Sequence, residues 1–126
     1  MANLLIVDDD IDYLTQQKRR LESAGHRVML AESVEDAVNI LRQTPPDLMI
    51  ADLMMEQMDS GFTLCHRAKS LHPKMPVIMI TAVTRETGMV FETAAPGQSS
   101  WLKADALLAK PVRPEQLLHE VDRLLK

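Results

Sequence analysis

The sequence predicts an α/β fold in which a doubly wound parallel sheet carries helices on both faces. Short apolar runs alternate with longer amphipathic stretches, and this alternation repeats five times along the 126 residues. Regular succession of strand and helix favours a parallel sheet, because each crossover lays its helix against the sheet. Polar residues also follow the apolar runs directly, at the carboxyl ends where such sheets bind their ligands.

Two apolar runs in the first half of the chain, Asn3–Val7 and Leu48–Ala51, predict buried strands, and Arg27–Ala31 predicts a short strand between them. Between the first two strands, Ile11–Ala24 has helical periodicity, and Gly25 supplies a left-handed stop. One face of this helix is predicted to carry four residues at helical spacing: Ile11, Leu14, Lys18 and Leu21. Ser33 is expected to cap a second helix, which ends at Pro45 because proline cannot continue it.

The second half of the chain predicts a helix over Gly61–Leu71 and two further strands, Val77–Ile80 and Ala106–Ala109. The last helix begins with Pro114 in its first turn and carries a stripe of leucine and valine. The connection from Ala82 to Asp105 is longer and less regular than the others. The sequence therefore predicts clear boundaries for the strands and helices, except between the fourth and fifth strands.

Composition favours one globular domain outside the membrane. The chain is 46% apolar and 25% charged, and it has a single cysteine, Cys65, so an internal disulfide is excluded. No apolar run approaches the roughly 20 residues that span a bilayer, and no basic leader precedes the first strand. The net charge of −4 argues against direct binding of nucleic acid. We therefore expect a cytoplasmic protein.

Five residues with chemically active side chains follow the predicted strands: Asp8, Asp9, Asp52, Thr81 and Lys110. The carboxyl ends of parallel strands lie at one edge of the sheet, so these side chains are expected to converge. Three nearby carboxylates repel one another unless a cation lies among them, and hard oxygen ligands suit Mg²⁺. An ammonium, a hydroxyl and a metal ion are the groups that phosphoryl transfer requires. An aspartate there could accept a phosphoryl group.

At these positions the sequence resembles the receiver domain of response regulators, along its whole length. The resemblance is carried by four segments in order: IVDDD at 6–10, DLMIADLMMEQMDSG at 47–61, PVIMITA at 76–82 and LLAKP at 107–111. It implies one receiver domain over residues 1–126, with the CheY-like strand order 2-1-3-4-5 and five flanking helices. Asp10 and Asp12 are interpreted instead as helix-capping residues.

The resemblance also implies a role for each site residue. Asp52 corresponds to the phosphoacceptor, Thr81 to the switch hydroxyl and Lys110 to the contact with a phosphoryl oxygen. For Mg²⁺, Asp9 and Asp52 would supply carboxylate oxygens and Met54 its main-chain carbonyl, while Asp8 would act mostly through bound water.

Several residues depart from the family pattern. Glu56 and Ser60 stand where the family usually has proline and glycine, and Leu107 replaces the aromatic switch residue. Met54 and Val83 occupy the positions that influence autodephosphorylation, and neither side chain can orient an attacking water. These two residues predict slow intrinsic loss of the phosphoryl group.

The expected function is a two-component signalling module, not an enzyme, that receives phosphate from a histidine kinase or phosphotransfer protein. With no effector region after Lys126, its output is expected in trans, or in a domain absent from this chain. It would be a monomer or a phosphorylation-dependent homodimer. One alternative is a pseudo-receiver that acts as a phosphorylation-independent interaction module. Another is a Mg²⁺-dependent aspartyl phosphatase, which would need an acid or base where Met54 stands.

Overall fold

The computed structural model describes residues 2–52, 60–81, 105–109 and 112–125. Within these ranges, strands and helices alternate in the predicted order: β1 (Asn3–Val7), α1 (Ile11–Ser23), β2 (Arg27–Ala31), α2 (Val34–Gln43), β3 (Leu48–Asp52), α3 (Ser60–Leu71), β4 (Val77–Thr81), β5 (Ala106–Ala109) and α4 (Pro114–Leu125). The described ranges contain four helices. The fifth helix of the predicted fold would fall in residues 82–104, outside the described residues.

The five strands form one parallel sheet in the order β2-β1-β3-β4-β5, which confirms the predicted fold class and strand order. Strand β1 lies between β2 and β3, and it pairs Val7 with Ala31 on one side and with Ala51 on the other. On the far side of β3, Asp52 pairs with Ile80 of β4. The direction of the chain crossovers changes between β1 and β3, and in such sheets the switch point opens a cleft at the carboxyl ends.

Alternate residues of each strand pack on opposite faces of the sheet. We call one side the α1/α4 face, where Leu4, Ile6, Ile50 and Ile80 pack with apolar residues of α1 and α4: Leu14, Leu21, Leu117 and Val121. The other is the α2/α3 face, where the alternate strand residues, such as Val7, Ala51 and Met79, pack with apolar residues of α2 and α3: Ala37, Val38, Leu41, Leu64, Cys65 and Ala68. Even-numbered and odd-numbered residues of β1 and β3 therefore point to opposite faces, and this alternation determines the face toward which Asp8 and Asp52 are directed.

Helix α1 begins and ends where the sequence predicts, within one residue. Asp10 is its N-cap, and its Oδ1 accepts hydrogen bonds from the main-chain nitrogens of Asp12 at 3.0 Å and Tyr13 at 3.2 Å. The capping role of Asp10 is therefore confirmed, whereas Asp12 lies in the first turn. Gly25 has a φ of 97°, a left-handed backbone conformation that residues with a side chain rarely adopt.

The predicted inner face of α1 is wrong at Ile11. Leu14 and Leu21 are completely buried, but the Ile11 side chain is 51% exposed. Ile11 is the first residue of α1 and stands beyond the end of β1, so no strand lies beneath it. The inner face instead includes Gln17, which is 4% exposed.

Two aspartates secure the opposite, amino-terminal edge of the sheet in the same way. Asp47 precedes β3; its Oδ2 accepts from the main-chain nitrogen of Asn3 at 2.8 Å, and its own nitrogen donates to the Asn3 oxygen at 2.7 Å. Asp105 precedes β5 and makes the equivalent pair of bonds with Val77, both at 2.8 Å. Each aspartate thus satisfies a strand-end N–H that the ladder leaves without a partner.

Candidate functional site

Two carboxylates are buried at neighbouring strand ends. Asp8 directly follows Val7, which pairs with Ala51, and Asp52 is the next residue of β3. Asp8 is 2% exposed and Asp52 is 5% exposed. Because Ile6 and Ile50 pack on the α1/α4 face, strand parity directs Asp8 and Asp52 toward that face as well. Burying two like charges side by side is costly, and this is the arrangement that a cation would stabilise.

Asp8 is fixed by its main chain and by one of its oxygens. Its nitrogen donates to the main-chain oxygen of Ala31 at 3.1 Å, and its Oδ1 accepts from the nitrogen of Asp10 at 3.0 Å. Asp10 in turn caps α1. The main chain of Asp8 is therefore tied to the end of β2, and its carboxylate is tied to the start of α1.

Tyr13 is a site residue that sequence reasoning missed. It lies in the first turn of α1, partly buried against the α1/α4 face. Burial, and then the negative charges of Asp8 and Asp52, raise the pKa of Tyr13 from 10.0 to about 12, with Arg20 opposing. Both carboxylate charges therefore act on one phenol. The available signal was spacing: Tyr13 is three residues after the N-cap, where a helix side chain turns back toward the sheet edge.

Asp9 is exposed to solvent, unlike the buried Asp8 and Asp52. It follows Asp8, and Asp10 is exposed as well. Over the described ranges, no group of three or more histidine, cysteine, aspartate or glutamate residues could hold a metal ion. Mg²⁺ commonly uses one or two carboxylates, with water, carbonyl or phosphate oxygens completing its octahedron. The Asp8–Asp52 pair has the chemistry for such a site: two hard, anionic oxygen donors held close together.

The remaining predicted site residues are only partly within the described structure. Thr81 ends β4 and pairs with Ala109 of β5, so its backbone lies at the same edge as Asp52. Lys110 is the next residue after Ala109 and lies outside the described residues, as do Met54, Glu56 and Val83. Leu107 is part of β5, in register with Met79.

Comparison with known proteins identifies the family. Residues 4–122 match the family model described as the response regulator receiver domain. The chain belongs to this family. Receiver domains are the signalling modules of two-component response regulators, and they are not enzymes of the ordinary kind.

Individual relatives agree with this membership. The transcriptional regulatory protein GlrR of Escherichia coli (strain K12) is 35% identical over 125 residues, which cover 99% of this chain and 26% of that protein. A CheY-like receiver domain protein from Methanospirillum hungatei JF-1 superposes with a TM-score of 0.82 at 29% identity, covering 99% of this chain and 94% of that one. The BeF3-activated receiver domain of DrrB superposes with a TM-score of 0.77 at 26% identity, covering 99% and 97%. This receiver chain spans about a quarter of the length of GlrR.

No helix in the described ranges is long and apolar enough to cross a membrane.

Proposed function

We propose that this receiver is switched by phosphorylation of Asp52, with Mg²⁺ as its cofactor, and that residues 1–126 form one receiver domain. The observation that carries the proposal is the buried pair Asp8 and Asp52 at the switch point of the sheet. A structural role alone gives no reason to bury two carboxylates on adjacent strands, since each loses its hydration there. A site that binds a cation and a phosphoryl group gives that reason.

The ion would be held by carboxylate oxygens of Asp9 and Asp52 and by the main-chain carbonyl of Met54, with the Asp8 carboxylate acting mostly through bound water. Bound there, Mg²⁺ would neutralise negative charge on the incoming phosphoryl group. A carboxylate oxygen of Asp52 attacks phosphorus, and a new oxygen–phosphorus bond forms. The bond from phosphorus to the donor breaks, and its electron pair leaves with the donor. The low exposure of Asp52 limits attack by bulk water on the resulting acyl phosphate.

Lys110 and Thr81 complete the proposed site. The Lys110 ammonium would bind a phosphoryl oxygen, since the group transferred carries negative charge throughout the reaction. The Thr81 hydroxyl would donate to another phosphoryl oxygen and so sense whether the group is present. Leu107 replaces the family's aromatic switch residue, so we propose that the signal leaves this site without a ring rotating behind Thr81.

The proposed donor is a histidine kinase or a phosphotransfer protein. The phosphorylated state would pass to a protein partner, or to an effector region of a longer protein, and relatives such as GlrR are transcriptional regulatory proteins. We propose that this chain does not itself bind nucleic acid, consistent with its net charge of −4. It would act in the cytoplasm as a monomer or as a phosphorylation-dependent homodimer.

Met54 and Val83 are proposed to prolong the phosphorylated state. Both side chains are apolar and cannot hold a water molecule in line with the acyl phosphate. We expect the substitutions Met54→Asn and Val83→Glu together to shorten the lifetime of the phosphoryl group. The rate at which the protein loses the mass of the phosphoryl group measures this lifetime. An unchanged lifetime would show that these positions do not control it.

The proposed function is tested by incubating the protein with Mg²⁺ and acetyl phosphate and measuring its intact mass. One added phosphoryl group is expected, and it should be absent in Asp52→Asn and in the presence of a chelator. If no group is added and beryllofluoride also fails to bind, the phosphorylation-independent pseudo-receiver becomes the better explanation.

A further inference from the structure

Tyr13 places a buried hydroxyl beside the proposed phosphorylation site. It is the one tyrosine of the chain, and its ring packs against the apolar residues of the α1/α4 face. The hydroxyl oxygen is shielded from solvent, and so is Oδ2 of Asp8. A partly buried tyrosine usually extends its hydroxyl into water. Here the hydroxyl ends inside the protein, on the face of the sheet toward which strand parity directs Asp8 and Asp52, and the charges of both carboxylates contribute to its raised pKa.

The position of Tyr13 is coupled mechanically to Asp8. The nitrogen of Tyr13 donates to Oδ1 of Asp10 at 3.2 Å, and the nitrogen of Asp10 donates to Oδ1 of Asp8 at 3.0 Å. Two consecutive hydrogen bonds therefore join the first turn of α1 to the carboxylate at the end of β1. The same short segment therefore fixes the main chain of Tyr13 relative to the Asp8 carboxylate.

We propose that Tyr13 is a positioning residue for the cation site: its neutral O–H dipole partly offsets the repulsion between Asp8 and Asp52 when no cation is bound. A hydroxyl hydrogen rotates to suit its surroundings, and two negative charges favour the orientation in which it points toward them. Near neutral pH a tyrosine hydroxyl keeps its proton even at its ordinary pKa, so the phenol adds no third negative charge.

When a cation is bound, the O–H dipole of Tyr13 no longer stabilises the site. With Mg²⁺ between the carboxylates, the positive end of the O–H would face a positive ion, and the repulsion that it relieves is already gone. Tyr13 therefore stabilises the metal-free site more than the metal-bound site. This inference rests on the proposed function insofar as it takes Mg²⁺ as the ion that binds there.

The substitution Tyr13→Phe tests the inference because it retains the ring and removes only the hydroxyl. We expect Mg²⁺ to bind about threefold more tightly, the size of effect that one modest hydrogen-bonding group produces. The melting temperature in a chelator should fall, whereas the melting temperature in saturating Mg²⁺ should change little. A purely structural role would lower both melting temperatures equally.

The measurements are Mg²⁺ titration calorimetry and thermal unfolding of four proteins: the wild type, Tyr13→Phe, Asp8→Asn and the double variant. In chelator, Tyr13→Phe should lower the melting temperature more in the wild type than in Asp8→Asn, because the asparagine side chain carries no charge for the dipole to offset. Gln16→Ala, at an exposed position of α1, is the control for a change in the helix itself and should leave Mg²⁺ affinity unchanged.

The outcomes separate this inference from the proposed function. If Mg²⁺ binds to the wild type and Tyr13→Phe leaves its affinity and both melting temperatures unchanged, the role of Tyr13 is overturned and the proposed function stands. If the wild type binds no Mg²⁺, the proposed function fails. The chelator series still tests the coupling of Tyr13 to Asp8 in that case, and equal losses in both backgrounds would overturn it.

Discussion

Removing one of the two buried carboxylates should stabilise the metal-free protein and abolish its response to Mg²⁺. The substitution Asp8→Asn makes this change with the least disturbance, because the side chains have nearly the same shape. The amide oxygen of asparagine can still accept the hydrogen bond that the nitrogen of Asp10 donates at 3.0 Å. The capping arrangement at the start of α1 therefore survives, and only the charge is lost.

The size of the effect follows from the strand register. Val7 pairs with Ala51, so Asp8 and Asp52 extend from adjacent strands, which lie about 4.8 Å apart. Two unit charges at about 5 Å, with an effective dielectric constant of about 20, repel by about 3 kcal/mol. Neighbouring hydrogen-bond donors offset part of this, so we expect a gain of about 1–2 kcal/mol in the free energy of unfolding. For a chain of this size, that raises the melting temperature by several degrees.

Circular dichroism during heating, in chelator and in Mg²⁺, measures both parts of the prediction. The wild type should melt at a higher temperature in Mg²⁺, whereas Asp8→Asn should melt at the same raised temperature in both solutions. Asp12→Asn removes an exposed carboxylate from the same helix start and should leave the Mg²⁺ response intact. The reasoning is refuted if Asp8→Asn melts below the wild type in chelator, or if it responds to Mg²⁺ as the wild type does.

Three further predictions concern the elements that support the site. Asp10→Ala removes the N-cap of α1 and should cost about 1 kcal/mol in urea unfolding, while Asp12→Ala should cost clearly less; equal losses would contradict the capping role. Asp105→Ala leaves the nitrogen of Val77 without its side-chain acceptor and should cost about 1–2 kcal/mol, whereas Asp105→Asn, which keeps an acceptor oxygen, should cost less. The Asp105 carboxylate also forms a salt bridge with Lys69 at 2.7 Å, but this pair is partly exposed to solvent and adds little to the difference. Equal losses for the two variants would therefore assign the effect to charge instead. Because the pKa of Tyr13 in the folded protein is about 12, stability should fall as pH rises from about 10 to 12, since the unfolded chain loses this proton first. The phenolate absorbance of the single tyrosine follows this titration, and a midpoint at the ordinary value of 10.0 would contradict it.

The strands could be predicted from the residues for an identifiable physical reason, whereas their order in the sheet was implied by the family resemblance. The inner strands of a parallel sheet are buried on both faces, so each appears as a short run of consecutive apolar residues, such as Leu48–Ala51. Proline and glycine mark the ends of the helices between them. The strand ends then located Asp8 and Asp52 at one edge, and the structure brings both to adjacent strand ends in buried positions.

Other features could not be predicted because they depend on distances between elements. The exposure of Ile11 depends on where β1 stops beneath α1, and helical periodicity does not contain that information. The sequence pattern did not single out Tyr13, and only the assembled fold shows which charges act on its hydroxyl. Asp105 likewise joins the start of β5 to Val77, 28 residues earlier, through contacts that no local pattern encodes.

The most direct test of the proposed function locates the phosphoryl group on the chain. After incubation with Mg²⁺ and acetyl phosphate, borohydride reduces an aspartyl phosphate to homoserine, and peptide mass analysis identifies the altered position. Homoserine at position 52 alone, absent when Mg²⁺ is chelated, is the predicted result. Homoserine in place of Asp8 or Asp9, or none in a folded protein that binds Mg²⁺, would contradict the assignment of Asp52 as the phosphoacceptor.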